Sequence, residues 1–396
     1  MWILLSHFWI IFSLSFWPLG QVHGAPALKE TSLALPSNLQ PFRTVRVSLL
    51  QDVSEIAIQS PSPYRVFDSS GRSLMAGKQI VATRVRAHAH GIQIGAQVFR
   101  DIPLTVQSQG EGIQIGGHFY RRSLIFWKTP AGKLGVINEI EIEDYLKGVL
   151  PREVHPNWSP EALKAQAVAA RTFALFEAIY HRNELYVLSD DVSSQVYGGK
   201  TSEAPSTDAA IEATRGEVLT YHGKIFPAFF HSTCGGMTTR PEWMWNVRPH
   251  PSLREVSCPF CKGSKNYRWT LRLSSREMES LLRRKGHDLS PLQSLKPVER
   301  DPSGRFRFFV IEGGGRKEKI PSHDFRLWMD PARFRSTLLD AVEKEGDGYF
   351  FKGRGWGHGA GMCQWGAKQL GELGYGYQEI LRYYYPEAAV IHLREA

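Results

Sequence analysis

Cysteine is scarce in this 396-residue chain: there are four, Cys234, Cys258, Cys261 and Cys363. That is too few for a disulfide framework to carry a protein of this size. No Lys, Arg, Asp or Glu occurs before Lys29, so the chain opens on an uncharged, apolar and aromatic stretch. Such a stretch followed by Val22-His23-Gly24-Ala25 reads as a secretory signal cleaved after Gly24, or as a retained membrane anchor. The absence of a cysteine near residue 20 argues against a lipid-anchored lipoprotein. There is no internal repeat, heptad array or low-complexity tract. Gly and Pro are spread throughout, as in a loop-rich globular protein.

Acidic residues are outnumbered: Lys and Arg total 48 against 39 Asp and Glu, a formal net charge of +9. Because residues 1–24 carry none of these, the whole surplus belongs to the remainder. It favours an anionic partner: nucleic acid, a lipid surface or an acidic wall polymer. Export removes nucleic acid from that set and leaves the cell envelope or periplasm as the expected location. The length suits two or three domains.

Residues 44–150 read as mostly β. Val45-Arg46-Val47-Ser48-Leu49, Ile56-Ala57-Ile58, Ile92-Gln93-Ile94 and Ile113-Gln114-Ile115 are short runs between Gly, Pro, Asp and Ser, the pattern of half-buried strands. At Ser159 the texture changes. Ser159 suits a helix cap, Pro160 its first position and Glu161 its positive end. From there to about residue 181 the chain is rich in Ala and Leu without internal Gly or Pro. Leu163, Ala167, Ala170 and Ala174 form an apolar stripe, and Lys164 and Arg171, seven apart, share another face. Further helices are predicted over 275–285, 364–372 and 377–385. The expected fold class is therefore α+β: a β-rich mixed domain with a central Ala-rich helix at about 160–181 and an inserted segment at about 262–345. The expected division is signal 1–24, N-terminal β-rich region 25–110, core 111–261, insertion 262–345 and a C-terminal part of the core, 346–396.

Acid/base chemistry has several candidates in one stretch: Glu141, Glu143, Asp144 and Glu153. Glu153 follows an expected apolar turn, Gly148 to Pro151, and precedes a helix. Val154 and Trp158 beside it would desolvate its carboxyl and raise its pKa, as protonation of a glycosidic oxygen requires. By the residues alone the four remain eligible. Residues 353–366 hold five glycines before Cys363, with Trp356, His358, Gln364 and Trp365 among them. Glycines allow close backbone approach to a ligand, and indoles suit the apolar faces of sugars. A tight buried turn against the Ala-rich helix is the plain alternative. No Gly-Lys-Ser/Thr follows, so a nucleotide site is rejected.

The block from Tyr145 to Glu153, then Trp158 to Ala174, resembles the stage II sporulation protein D family and its amidase-enhancer relatives. So do Ser193-Ser194-Gln195-Val196-Tyr197 and the C-terminal run Gly355-Trp356-Gly357-His358-Gly359 with Gly361-Met362-Cys363-Gln364-Trp365-Gly366-Ala367. The resemblance implies a lytic transglycosylase that cleaves peptidoglycan glycan strands stripped of their stem peptides. Glu153 would be its single acid/base, acting without cofactor. It implies substrate contacts from Lys164 and Arg171, with Gln195, Tyr197, Trp356, His358, Gln364 and Trp365 lining the site. It also implies an N-acetylmuramoyl-L-alanine amidase as a partner, or a non-catalytic amidase-enhancing role. One departure is Arg152, where small residues are common, and it is expected to point away from Glu153.

His231-x₂-Cys234 and Cys258-x₂-Cys261 have the spacing of tetrahedral zinc ligands. They make a structural zinc site the expectation, against a Cys258–Cys261 disulfide formed after export. Cys363 reads as a small buried thiol.

Overall fold

The computed structural model describes residues 33–36, 42–189, 195–245 and 247–393; the expected signal segment, 1–24, lies outside the described residues. The short alternating runs become strands of two sheets. One has seven strands in the order 188–189, 44–53, 134–141, 123–128, 104–108, 64–67, 73–77. The other has six, in the order 118–120, 113–115, 55–60, 80–88, 91–94, 97–99. The alternation is visible at Val45 and Val47, buried on either side of exposed Arg46, as a half-buried strand requires. Val47, Val85, Ile92, Leu104, Leu124, Phe126 and Val136 belong to the core that the two sheets share.

The strand Leu134–Glu141 runs directly into helix α1, Ile142–Glu153. Here the structure departs from the sequence expectation, because Gly148 to Pro151 is the last part of this helix and not a turn. Tyr145, Leu146, Val149 and Leu150 are fully buried at helical spacing, and that packing outweighs the weak helix preference of Gly and Pro. Gly148 is needed where it stands: a Cβ there would lie 2.5 Å from the Tyr197 ring.

Helix α2, Pro160–Tyr180, starts as expected, with Ser159 Oγ accepting from Ala162 N at 3.3 Å and proline in the first turn. It is buried on more sides than the stripe suggested. Ala167, Ala170, Ala174 and Ala178 face the sheet core. Ala165, Val168 and Ala169 face a second core, and Leu175 and Phe176 a third. Small side chains let a helix be surrounded at close range, which is why this one is central. Helix α3, Pro205–Ala213, had no counterpart in the sequence expectation.

Beyond residue 262 the chain forms a lobe with its own core, including Phe309, Phe325, Phe334 and Phe351. It contains α4 (Ser275–Arg283), α5 (Ser322–Trp328) and two three-stranded sheets. One of these sheets continues past residue 345 through the strand Gly348–Arg354. The chain then returns to the second core. Met362–Cys363 pairs in parallel with Phe230–His231, and α6 (Gln364–Glu372) and α7 (Tyr377–Tyr384) pack beside α2. The last strand, Ala389–His392, joins Glu217–Tyr221. The class is mixed α+β, as expected, with seven α-helices among the described residues. None of the described helices is long and apolar enough to cross a membrane.

Candidate active site

Glu153 ends α1, and two distant parts of the chain converge on its half-buried side chain. Its Oε1 accepts from the backbone N–H of Val196 at 3.0 Å, and its Oε2 from Gln364 Nε2 at 3.3 Å. Burial raises its pKa above the ordinary 4.5, while the two donated hydrogen bonds pull the other way. Desolvation disfavours the charged form, so this carboxyl holds a proton to higher pH than a surface glutamate. Val154 packs with Leu163 and Trp158. Trp158 meets Trp365, the neighbour of Gln364, edge to face with centroids 5.7 Å apart. Lys368 lies over the Trp365 ring at 5.5 Å. Arg152 is exposed.

The rival carboxylates are all engaged elsewhere. Glu141 pairs with Arg122 at 2.7 Å and Asp144 with Lys147 at 3.4 Å. Glu143 is held by Arg171 through both oxygens, Nε to Oε1 at 2.9 Å and Nη2 to Oε2 at 2.7 Å.

That pairing corrects the expectation for Arg171. Its side chain is 1% exposed, and it also donates to the carbonyls of Glu217 and Ile211, each at 3.2 Å. A guanidinium needs partners for its donors once it leaves water, and this one makes four hydrogen bonds inside the protein. Arg171 therefore does not line a groove, and the basic face it was expected to share with Lys164 does not form. Lys164 remains partly exposed, paired with Glu161 at 2.7 Å and 5.8 Å from the Tyr377 ring centroid.

Gln195 and Tyr197 are likewise internal rather than substrate-facing. Gln195 lies between Tyr145 Oη at 3.0 Å and the Ala170 carbonyl at 3.3 Å. Tyr197 donates to Asn138 Oδ1 at 2.7 Å. They fix the segment whose Val196 N–H holds Glu153. Ser193 and Ser194 lie outside the described residues.

In the glycine-rich run, Trp356 Nε1 donates to the Pro331 carbonyl at 3.1 Å. Both ring nitrogens of His358 are occupied: Nε2 donates to the Phe230 carbonyl at 2.9 Å and Nδ1 accepts from Ala360 N at 3.1 Å. Burial holds the His358 pKa well below 6.5, so the ring is neutral. Gln364 is the member of this run that reaches the carboxylate, and Trp365 follows it on α6.

The metal expectation changes by one ligand. Cys234, Cys258 and Cys261 come together, but the fourth side chain is Cys363. His231 turns away, its Nδ1 donating to the Ala360 carbonyl at 3.0 Å. The pairing of His231 with Cys363 across two parallel strands brings the distant thiol in, which spacing along the chain does not reveal.

Two residues escaped the sequence reading. Gln166 on α2 is 1% exposed, and neither its Nε2 nor its Oε1 has a hydrogen-bond partner among the described residues. An unsatisfied buried amide costs about 1–3 kcal/mol per group; its only signal was a glutamine inside an Ala-rich run. Arg305, from the lobe, is 1% exposed and donates to the carbonyls of Cys234 at 2.6 Å and Met237 at 2.9 Å. It lies so close to Gly359 that a Cβ there would be 2.5 Å from its Cζ. Nothing in the local sequence around Arg305 signals that contact.

Comparison with known proteins shows the family. A family model described as stage II sporulation protein (SpoIID) matches residues 130–221, which include α1, Glu153 and α2. A second, a domain of unknown function (DUF8618), matches residues 260–361, the lobe. The chain is 33% identical over 347 residues to an uncharacterized protein of Brachyspira hyodysenteriae, covering 86% of this chain and 91% of that one. It is 28% identical over 294 residues to the amidase enhancer of Bacillus subtilis, covering 61% of this chain but only 39% of that protein. It is 30% identical over 268 residues to stage II sporulation protein D of Bacillus subtilis, covering 63% of this chain and 74% of that protein. The chain belongs to the stage II sporulation protein D family.

Proposed function

We propose that this protein is an exported cell-wall enzyme, a lytic transglycosylase that cleaves peptidoglycan glycan strands with Glu153 as its only acid/base. The observation that carries the reading is the state of Glu153: a desolvated carboxyl of raised pKa, held by Val196 N–H and by Gln364, whose neighbour Trp365 packs against Trp158. The protonated acid gives its proton to the glycosidic oxygen as the bond from the N-acetylmuramyl C1 breaks. The resulting carboxylate takes the proton of the sugar's own C6 hydroxyl while O6 bonds to C1. Glu153 is thus reprotonated, a 1,6-anhydro ring closes, and neither water nor a second carboxylate takes part. This differs from the paired-carboxylate pattern of glycoside hydrolysis. Trp365 and Trp158 offer apolar faces to the sugar rings. Lys164 on α2 and Lys368 on α6 are partly exposed cations available to the carboxylates of peptide-stripped strands.

The test incubates the purified protein with amidase-treated and intact sacculi and reads the products by mass spectrometry. The reading expects 1,6-anhydro ends from amidase-treated strands, and none from Glu153→Gln. Reducing ends without the anhydro ring would replace it by hydrolysis. No cleavage at all, with faster cutting by an added amidase, would support a second reading as an amidase-enhancing binding module. That reading is favoured by the likeness to the amidase enhancer.

A further inference from the structure

The four cysteines come from distant parts of the chain, and all four are fully buried. Cys234 follows the strand Phe230–His231, Cys258 and Cys261 flank and enter the turn Pro259–Gly263, and Cys363 caps α6. Their sulfur atoms all lie within 4.8 Å of one another, none is in a disulfide, and Cys234 and Cys261 approach to 3.4 Å. A zinc ion with bonds of about 2.3 Å to four sulfurs has S···S edges of about 3.8 Å, which matches this cluster. Four soft sulfur donors in a tetrahedral cluster select zinc over hard cations.

The surroundings suit thiolates. Backbone N–H groups point at two of the sulfurs, Cys234 N at Cys363 Sγ (3.2 Å) and Gly236 N at Cys234 Sγ (3.4 Å). Tyr384 Oη lies 3.1 Å from Cys258 Sγ. Four thiolates and a divalent ion carry a net double negative charge, which burial penalises. Arg305 supplies a fully buried positive charge beside them, bonded to the Cys234 carbonyl. Room for the cluster is kept by Gly366 on α6, where a Cβ would stand 2.7 Å from Cys258 Sγ and 1.9 Å from Tyr384 Oη.

We propose that Cys234, Cys258, Cys261 and Cys363 bind one zinc ion through four sulfurs, and that this ion positions Gln364 against Glu153. Protein groups fill every coordination position, so the ion is structural and activates no water. Its reach into the chemistry comes from chain continuity. Cys363 is tied to the metal, the next residue is the first of α6, and that residue, Gln364, donates to Glu153 Oε2. The ion would lock the strand pair carrying Cys363, the 258–263 turn and the start of α6 into one unit. The binding site stands on its own; its consequence for Glu153 rests on the function proposed above.

The experiment uses the full mature chain purified without chelator. Elemental analysis is expected to find one zinc per chain, with the four thiols unreactive to a thiol reagent until the metal is removed. Replacement by cobalt is expected to give the visible absorption of a tetrahedral thiolate complex. Removing zinc under reducing conditions should lower the melting temperature and suppress strand cleavage, and re-addition should restore both. Glu153→Gln is expected to keep the full zinc content and to melt no lower than the parent while inactive. Metal-free protein with Cys258–Cys261 or any other disulfide, or cobalt protein without thiolate bands, overturns the site. Zinc present with undiminished cleavage after its removal overturns the link to Gln364. Active Glu153→Gln protein that holds zinc overturns the acid/base assignment and leaves the metal site standing. Cys258→Ser is a further arm, and because the count and spectrum are read on unmutated protein, its failure to fold does not remove the test.

Discussion

Replacing Arg171 by Ala separates a groove residue from a structural one. The substitution removes a guanidinium that is 1% exposed and leaves the Glu143 carboxylate, 11% exposed, with Gly216 N at 3.2 Å as its remaining donor. The Ile211 and Glu217 carbonyls also lose a donor each. Removing one partner of a buried pair costs about 3–5 kcal/mol, because the surviving charge stays desolvated. Against a typical domain stability of about 5–15 kcal/mol, that is a large fraction. At roughly 2–4 °C per kcal/mol for a larger domain, the melting temperature should fall by roughly 6–20 °C. Arg171→Lys should recover only part, since an ammonium cannot fill both carboxylate oxygens and two carbonyls in the same planar fork. Arg171→Met combined with Glu143→Leu should recover most of it, because no unpaired charge remains. Thermal unfolding followed by near-UV circular dichroism reads all three variants, with binding to peptide-free strands measured well below each transition. If Arg171→Ala unfolds within about 1 kcal/mol of the parent and loses strand binding selectively, the buried-pair reasoning is refuted and Arg171 belongs to the groove.

Glu153→Gln should lower cleavage by about 10²–10⁴-fold, the usual contribution of a positioned acid, as read from anhydro product formed per minute. The same variant tests the raised pKa through stability. Between 4.5 and that raised value the folded state binds more protons than the unfolded state, so stability falls as pH rises through this window. Glu153→Gln should therefore melt above the parent at neutral pH and level with it below pH 4.5, and a constant gap across pH would contradict the assignment. Cleavage by the parent should decline as pH rises through the same ionisation, because the acid form is the one that donates. Gly148→Ala, which at an exposed helix site would stabilise by up to about 1 kcal/mol, should destabilise here by about 1–3 kcal/mol, since its Cβ would lie 2.5 Å from the Tyr197 ring. Urea unfolding gives the sign directly. Arg305→Ala should leave the Cys234 and Met237 carbonyls without a donor, at about 1–3 kcal/mol each. It should also loosen the lobe, seen as faster limited proteolysis within 262–345.

Local patterns in the chain determined much of this protein. Ser159-Pro160-Glu161 and the alanines after it dictate α2, because capping and small-residue packing act within one or two turns. The predicted helix 364–372 is found as Gln364–Glu372, and Val45, Arg46 and Val47 alternate in burial as a half-buried strand must. Glu153 was legible as a candidate because it precedes the Ser159 helix start among apolar neighbours, Val154 and Trp158, which pack together in the fold. Only the tertiary structure decided which candidates meet. Arg171 has the look of an exposed helix cation, yet Glu143, 28 positions earlier, takes it into the core. Cys363 looked like a lone thiol, yet a two-residue parallel pairing carries it across 129 positions to Cys234 in place of His231. Gly148 and Pro151 speak for a turn, and burial of Tyr145, Leu146, Val149 and Leu150 makes the segment helical. Caps, alternation and helical stripes are short-range effects and are written in neighbouring residues. The partner of a buried charge or thiol is chosen by long-range packing, where the cost of leaving it unpaired far exceeds any local preference.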